Sequence, residues 1–580
     1  MPQLLRTNST ESKQEGGDII EVSDLALVGP SNRAGIGGCF ENKFILGVSL
    51  FSTLGGFGVL RNVLVIESFA AKFPEIYMNV TLQSKTTFRD GFFPHLYLAT
   101  AWVGANVSGP ICDKIGRKIG IICNAVIFLV GSSLQAGATS PIGLFTGSAV
   151  TGLAAGSLTH VVPMYIAEIS SAKIRGSLVS LQQLAITFGI LVSYWIAYGT
   201  SHIGGTRCAP KIPYTLALPN GMLVFNPYTD VPHGGCNGQT QASWRVPLAF
   251  QILPALCLAI GMHFMPYSPR WLVERGHEEE ALETLSRLRR KPAEEYSVRT
   301  EFLEIMAEVH FAREVMKAAY PNAGPVRRII NKYLVLVSSR PKSRRIIVGS
   351  LIMTLQQNMG MITLVYLLPM LLGQLGLDPT TTSLIATGVY GIVKMLATLP
   401  AIVLVDSVGR RPVLISGAAG CLICLAIISS MVTMYGKDWP AHVVAVRIAI
   451  VFVFIYDAIF SYSWAPMGWV VTSEIFPLHL RSTGMSITAS TMWSSSFMAG
   501  LFAPMQVNPS MGGTWYYIYS ATSLAALLSA VFFIPETKGV TLEGMDPLFR
   551  DNATDSQREH KEAICRELGL LDRASPNALM

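Results

Sequence analysis

The sequence repeats one acid–arginine pair in two loops. Asp113 precedes Arg117 by four residues in DKIGRK, and Asp406 precedes Arg410 by four residues in DSVGRR. A carboxylate and a guanidinium at the ends of helices form charge-assisted, often bidentate hydrogen bonds. The motifs therefore predict ionic contacts between neighbouring helix ends that form and break, with simple helix capping as the alternative.

Two further motif pairs recur once in each half of the chain. They are Glu168-x6-Arg175 with Glu474-x6-Arg481, and the stretch PYSPR ending at Arg270 with PETKG at 535–539. Three matched pairs at matched positions indicate a duplicated unit, which is typical of secondary transporters. The residues expected to form a latch are Asp113, Arg117, Glu168, Arg175, Arg270, Asp406, Arg410, Glu474 and Arg481.

The composition predicts a protein that crosses a membrane many times. Only 14% of the 580 residues are charged, against about 25% in ordinary soluble proteins, and the mean hydropathy is +0.42. The net charge of +7 does not indicate nucleic-acid binding, because the basic residues lie in short loops between apolar segments. The sequence has no phosphate-binding loop, metal-binding cluster or nucleophile–base motif, so we expect neither an enzyme nor a cofactor.

Twelve apolar segments are close to the length of about 20 residues that a spanning helix needs. We predict an all-α membrane protein with twelve transmembrane helices in two six-helix pseudo-repeats. The predicted parts are a disordered cytoplasmic tail (1–43), an N-terminal half (44–265), a cytoplasmic middle loop with short amphipathic helices (266–345), a C-terminal half (346–534) and a cytoplasmic tail (535–580).

The distribution of basic residues orients these segments. The middle loop holds 16 Lys and Arg residues, and the loops between spans 7 and 8 and between spans 11 and 12 hold none. The middle loop and both termini are therefore predicted to be cytoplasmic. Asn79 in NVT then becomes a plausible glycosylation site in an outside loop. Cys208 and Cys236 share one polar loop and form a candidate disulfide if that loop is extracellular.

The motifs together resemble those of the sugar porter family of the major facilitator superfamily, most of all fungal monosaccharide transporters. The resemblance covers about residues 44–546. It rests on GPICDKIGRK (109–118), PMYIAEISSAKIRG (163–176), LQQLAITFGI (181–190), PYSPRWL (266–272), QQNMGMITLVYL (356–367), DSVGRR (406–411), WAPMGWVVTSEIFPLHLRS (464–482) and PETKG (535–539).

The resemblance implies a sugar site between the two halves. Sugar hydroxyls require amide side chains that donate and accept hydrogen bonds, together with an aromatic surface. The family positions are Gln183, Gln356, Gln357 and Trp469, with Tyr366 nearer the outer gate. The chain departs from the family pattern at Met361-Ile362, where Ile-Asn is usual, and at Met492, where Asn is usual. Each lost polar contact costs roughly 1–3 kcal/mol of sugar binding.

The proton-carrying residues of the family's symporters are also absent. The first span lacks about six residues that would include Tyr-Asp, and Ser148 occupies the place of the span-4 Arg. Arg61 then shifts toward the extracellular half of that short span. The expected function is therefore facilitative or atypically coupled transport of a hexose-like monosaccharide. The alternatives are a proton-coupled sugar, polyol or quinate symporter with a gap in the gene model, and a non-transporting sugar sensor.

Two ionisable residues lie at membrane depth outside these motifs. Asp457 and Lys394 fall at heights from which a long lysine side chain could reach the acid. A vestibule-facing Asp457 and a substitute proton site at Asp457 remain alternatives to this pair. The expected partners of the protein are a small sugar, the lipid bilayer and, in the coupled alternatives, protons. We expect a monomer in the plasma membrane.

Overall fold

The fold is described from a computed structural model of the 580-residue chain. The described residues are 63, 66–76, 88–171, 174–217, 223–319, 324–373, 379–436, 438–477, 480–506, 514–540, 545, 547–549 and 563–568. The predicted glycosylation site at Asn79, the residues around Arg61 and most of both predicted tails lie outside these ranges.

The N-terminal half and the following segment are helical. The helices of this half are α1 (Glu67–Lys72), α2 (Phe88–Ile115), α3 (Arg117–Ala136), α4 (Pro141–Ile169), α5 (Arg175–Ser201), α6 (Ala242–Phe250) and α7 (Ile252–His263). A two-stranded antiparallel ribbon of β1 (Leu216–Ala217) and β2 (Leu223–Val224) interrupts them. Four helices follow in the middle segment: α8 (Pro269–Arg275), α9 (Glu278–Arg289), α10 (Tyr296–Ala319) and α11 (Pro325–Val337).

The C-terminal half begins with a helix that starts earlier than the sequence indicated. Its helices are α12 (Arg340–Asn358), α13 (Met361–Gly373), α14 (Pro379–Ser407), α15 (Arg410–Tyr435), α16 (Val443–Tyr462), α17 (Trp464–Glu474), α18 (Arg481–Gln506) and α19 (Thr514–Phe532). A 3-10 turn follows at Pro547–Phe549. Within the described ranges, nine helices or helix pairs are long and apolar enough to cross a membrane.

Two spans of the C-terminal half are broken near their middles, which the sequence analysis treated as continuous segments. Between α12 and α13, Gly360 adopts φ +94°, and a Cβ there would lie 3.0 Å from the Tyr519 ring. Only glycine adopts this conformation in so close a contact without strain. The second break lies at Ser463, between α16 and α17. Broken helices free backbone carbonyls at membrane depth, where side chains must satisfy them.

The two halves meet most extensively along two helix pairs. α2 packs against α18, and α5 packs against α14. Small residues allow close approach at both: a Cβ on Gly109 would lie 2.9 Å from Ser486 Oγ, and a Cβ on Gly391 would lie 3.3 Å from Leu191. Such contacts permit helices of different halves to approach closely.

The segment between α5 and α6 forms a small packed structure on the side predicted to be extracellular. Cys208 and Cys236 are joined by a disulfide there. Glu67 of α1 is buried against this segment: it accepts hydrogen bonds from the Cys208 backbone N–H at 2.7 Å and from the Tyr214 hydroxyl at 2.6 Å. The disulfide and the buried carboxylate therefore fasten the segment to the start of the helical body.

Glu67 gives this segment a pH-dependent stability. Burial raises the pKa of Glu67 above its ordinary value of 4.5, although bonds from Tyr214 and Cys208 oppose the rise. The folded state thus favours the protonated form, so the stabilisation is complete below pH 4.5 and is lost as pH rises through the folded-state pKa. We expect hydrogen exchange in residues 202–241, corrected for intrinsic rates, to show less protection at neutral pH than in acid. Glu67→Gln should flatten this dependence.

Asp230 supplies a control of opposite sign in the same segment. Burial acts to raise its pKa, but hydrogen bonds from Thr215, Asn226 and Thr229 outweigh burial and lower the pKa. Its stabilisation is therefore present at neutral pH and is lost as pH falls. Asp230→Asn should reduce the protection from hydrogen exchange at neutral pH, whereas Glu67→Gln should reduce the extra protection in acid. Equal pH profiles for wild type and Glu67→Gln would contradict the prediction.

Candidate functional site

A buried ionic cluster, formed by Asp406, Arg410 and Glu474, joins three helices of the C-terminal half. Arg410 is 1% exposed and donates from Nη2 and Nε to the two carboxylate oxygens of Glu474, at 2.8 and 3.3 Å. The same Nη2 lies 3.0 Å from Asp406 Oδ1. Acids from α14 and α17 thus converge on the first residue of α15. We call this set the C-terminal cluster.

The C-terminal cluster also bonds to the other half of the protein. Asp406 Oδ2 accepts hydrogen bonds from the backbone N–H and the hydroxyl of Ser177, at 2.7 and 2.6 Å. Ser177 lies in the first turn of α5, where unpaired N–H groups and the helix dipole favour a carboxylate. A Cβ on Gly176 would lie 2.5 Å from Asp406 Oδ1 and 2.6 Å from Arg410 Nη2. Glycine at position 176 therefore permits this bond between the halves.

The N-terminal half contains the matching cluster of Asp113, Arg117 and Glu168. Arg117 is 2% exposed, and its Nε and Nη2 lie 3.2 and 3.1 Å from Glu168 Oε1. Its Nη1 lies 3.6 Å from Asp113 Oδ1. The two clusters differ in the partner of the second aspartate oxygen. Asp113 Oδ2 lies 2.7 Å from Lys332 Nζ of α11 in the middle segment, whereas Asp406 Oδ2 is bonded to Ser177 of the other half. Asp113 therefore connects its half to the middle segment, whereas Asp406 connects the two halves.

The other three predicted latch arginines are buried and contact backbone carbonyls. Arg270 donates to the carbonyl of Glu168 at 2.8 Å, Arg175 to that of Val540 at 3.4 Å, and Arg481 to that of Phe476 at 3.2 Å. These bonds satisfy carbonyls at helix ends and in the segments that follow them.

Sequence reasoning missed several members of the clusters. Ser268 donates to Glu168 Oε2 at 2.5 Å, and Thr537 donates to Glu474 Oε2 at 2.6 Å. Glu536 accepts the backbone N–H groups of Arg410 and Arg411, each at 3.0 Å. The signal was present, since Ser268 and Thr537 are the third residues of PYSPR and PETKG. The third motif pair thus supplies hydroxyl donors to Glu168 and Glu474, the carboxylates of the second motif pair.

Two of the predicted sugar ligands lie beside the helix breaks. Gln356 is buried and donates from Nε2 to the carbonyls of Trp464 and Ala465, both at 2.9 Å, at the break between α16 and α17. Gly468 of α17 packs against the same amide, since a Cβ there would lie 3.0 Å from Gln356 Nε2. Gln356 therefore ties α12 to the first turn of α17, directly beside the break.

Gln357 has a different environment from its neighbour. It is half-buried, and its Oε1 accepts a hydrogen bond from Ser496 of α18 at 3.0 Å. Its Nε2 lies 3.5 Å from Gln356 Oε1, so this donor is weakly engaged. Ser496 was not predicted; it lies one turn after Met492, where the family's Asn is absent.

The remaining predicted ligands lie on neighbouring elements. Trp469 is buried in α17, which packs against both α12 and α5, and Gln183 is buried in α5. Tyr366 lies in α13, but its side chain falls outside the described residues. The structure thus places Gln356 and Gln357 in one network with Ser496, and Trp469 and Gln183 on helices that pack together.

A neutral hydrogen-bond network occupies the position of the family's span-4 arginine. Ser148 is fully buried in α4, and Gln135 Nε2 lies 3.3 Å from its hydroxyl and 2.9 Å from that of Thr151. Gln251 Nε2 extends this network to Gln135 Oε1 at 3.4 Å. The described bonds of this network join neutral side chains only.

The paired helical halves, each with a matching ionic cluster, define a membrane transport protein of the major facilitator type. Solved structures show the same fold. A proton:xylose symporter, XylE, bound to 6-bromo-6-deoxy-D-glucose is 24% identical, with a TM-score of 0.68 over 87% of this chain and 99% of that chain. A partially occluded, inward-open structure of the xylose transporter XylE from E. coli is also 24% identical. Its TM-score is 0.61 over 85% of this chain and 99% of that chain. The predicted fold is confirmed at this level.

Family comparison agrees with the fold. The family described as "Sugar (and other) transporter" matches residues 48–549, so the chain belongs to the sugar transporter family. A protein named "Probable quinate permease" from Aspergillus niger is 30% identical over 464 residues, which is 78% of each chain. A "Quinate permease" from Neurospora africana is 30% identical over 469 residues, again 78% of each. The resemblance found in the sequence is confirmed; the count of twelve spans and the cytoplasmic termini stay predictions.

Proposed function

We propose that this protein carries a monosaccharide or a closely related polyol across the membrane by alternating access. The observation that carries the proposal is the network of Gln356, Gln357 and Ser496 beside two helix breaks, together with the hydrogen bond from Ser177 to Asp406 that joins the halves. Amide and hydroxyl groups both donate and accept, which suits a ligand with many hydroxyls. We place the protein in the plasma membrane as a monomer.

The proposal is tested with the purified chain in proteoliposomes. Uptake of a labelled hexose is measured in competition with hexoses, pentoses, disaccharides, polyols and quinate. We expect saturable uptake, countertransport and competition by a narrow group of these solutes. Ligand binding without transport of any solute would support the sensor alternative instead.

Quinate is a second candidate substrate, favoured by the names of the relatives in two fungal genera. The residues of this chain also support it, because Ile362 and Met492 stand where the family has the hydrogen-bonding side chain of Asn. A cyclic acid with fewer hydroxyls than a hexose loses less from such replacements. If quinate inhibits uptake of the labelled hexose more strongly than the other solutes of the panel do, quinate is the preferred substrate.

For neutral sugars we propose facilitative transport. The neutral network around Ser148 supports this, since the usual arginine partner of a proton-carrying carboxyl is absent from it. A proton uncoupler should leave the steady-state level of a neutral sugar unchanged. Uncoupler-sensitive accumulation of that sugar would instead favour the symporter alternative.

Gln357 and Gln356 should give separate effects when each is replaced by alanine. Gln357 is half-buried with a weakly engaged donor, so Gln357→Ala should raise the half-saturation constant about tenfold with little change in melting temperature. Gln356→Ala should lower the melting temperature, because α12 loses its two buried hydrogen bonds to the first turn of α17. Uptake kinetics and thermal unfolding in detergent measure the two effects. The reverse assignment of effects would contradict the prediction.

A further inference from the structure

A second ionic group lies within the C-terminal half, apart from the motifs that the proposed function uses. Lys394 Nζ of α14 lies 3.2 Å from Asp457 Oδ1 of α16, and the two residues are 3% and 0% exposed. The other carboxylate oxygen, Oδ2, has no well-formed hydrogen bond within the described part of the chain, and the Tyr390 hydroxyl, which faces this carboxylate, has none either. A buried carboxylate is costly unless all its oxygens are satisfied, so an unfilled oxygen calls for a functional explanation.

The ammonium group of Lys394 has a second contact besides Asp457, with the ring of Tyr390. Lys394 Nζ lies 5.1 Å from the centroid of the Tyr390 ring, within the range of a cation–π interaction. Tyr390 also faces Asp457, and Cys421 of α15 and Tyr456 of α16 are the other titratable groups near this carboxylate among the described residues. The ammonium therefore keeps one partner when the carboxylate loses its charge.

The pair lies close to the candidate substrate site. Tyr456, the residue before Asp457, donates to the carbonyl of Met359 at 2.8 Å, two residues beyond Gln357. Lys394 is twelve residues before Asp406, so it lies roughly 18 Å along α14 from the C-terminal cluster. α14 itself packs against α5 of the other half. A movement between the halves therefore shifts α5 relative to α14, the helix that carries Lys394.

We propose that the Lys394–Asp457 pair is a proton-linked binding site for the carboxylate of an anionic polyol; this inference rests on the proposed function. A proton from water binds Asp457 Oδ2 and forms a carboxylic acid. The ion pair then breaks, and Lys394 Nζ pairs with the carboxylate of the solute. The pair alone carries no net charge, protonation makes it +1, and the bound anion returns it to zero. Because an unpaired buried charge is unfavourable, proton and anion bind together.

The experiment compares quinate with methyl quinate, the neutral ester that keeps the ring and its hydroxyls. The purified chain is reconstituted in vesicles that enclose a pH-sensitive dye. Quinate entry should acidify the interior with one proton for each quinate, and methyl quinate should enter without acidification. Quinate uptake that leaves the internal pH unchanged would overturn the proposal.

The key variant removes both charges together, so that neither is left buried alone. Lys394→Met/Asp457→Asn should lower the preference for quinate over methyl quinate at least about tenfold, the factor expected for a lost charge-assisted bond, and should abolish acidification. Its melting temperature shows whether it folds. If it does not fold, Asp457→Asn alone is used, with loss of acidification as the expected result. Cys421→Ala, next to the same carboxylate, should keep both properties.

Countertransport of a neutral monosaccharide in the same vesicles separates this inference from the proposed function. Sugar exchange without quinate uptake would refute the carboxylate site alone. An unchanged quinate preference in the double variant would also refute it. Vesicles that exchange no solute of any class would refute both proposals.

Discussion

Replacing Arg410 with methionine should strongly destabilise the protein, so that much less folded protein is present in the membrane. Arg410 is the sole cation of the C-terminal cluster as described, and its loss leaves Asp406 and Glu474 buried without a counter-charge. Removing one partner of a buried ion pair typically costs about 3–5 kcal/mol, which is a large part of the stability of a typical domain. Fluorescence-detected size-exclusion chromatography and thermal unfolding in detergent measure the loss.

The matched control is an exposed ion pair of the same kind. Arg287→Met breaks the contact of Arg287 with Glu283, where both side chains are largely exposed, so the melting temperature should barely change. Arg410→Met/Glu474→Gln should recover part of the stability, since one uncompensated carboxylate is removed. A melting temperature of Arg410→Met equal to that of Arg287→Met would show that the buried cluster contributes nothing to folding.

The sequence predicted which residues carry the charge clusters but not how they pair. Repeated motifs can be recognised by local spacing alone, and for that reason Arg117, Arg410 and their acids could be named in advance. The bond from Asp406 to Ser177 joins positions 229 residues apart. It depends on how α5 packs against α14, and local spacing contains no information on that packing.

The helix breaks show the same limit within the candidate site. Hydropathy treats each of these two broken spans as one continuous segment, because an apolar segment has the same average whether or not it bends. Gly360 and Ser463 break them through backbone conformation, and Gln356 then becomes a donor to the first turn of the helix after the second break. Its amide type was predictable from the family resemblance, but this second, structural use of the side chain was not.

Replacing Gly176 with alanine should open the side of the protein that the latch closes. The new Cβ would lie 2.5 Å from Asp406 Oδ1 and 2.6 Å from Arg410 Nη2, and these side chains are fixed by buried bonds. The two bonds from Ser177 to Asp406 should then weaken. Each charge-assisted bond is worth about 1.5–3 kcal/mol, so the ratio of open to closed protein should rise at least about tenfold. Labelling of cysteines introduced beside α5 and α14 measures the opening.

Gly199→Ala is the matched control, because it makes the same substitution at the other end of α5. A Cβ there meets no atom within 4 Å, so neither labelling nor transport should change. For Gly176→Ala, faster labelling should accompany slower transport, since a transporter that cannot close one side cannot complete its cycle. A merely structural role predicts a lower melting temperature with unchanged labelling of the folded fraction. That result would show that the bond between the halves supports the fold but does not gate it.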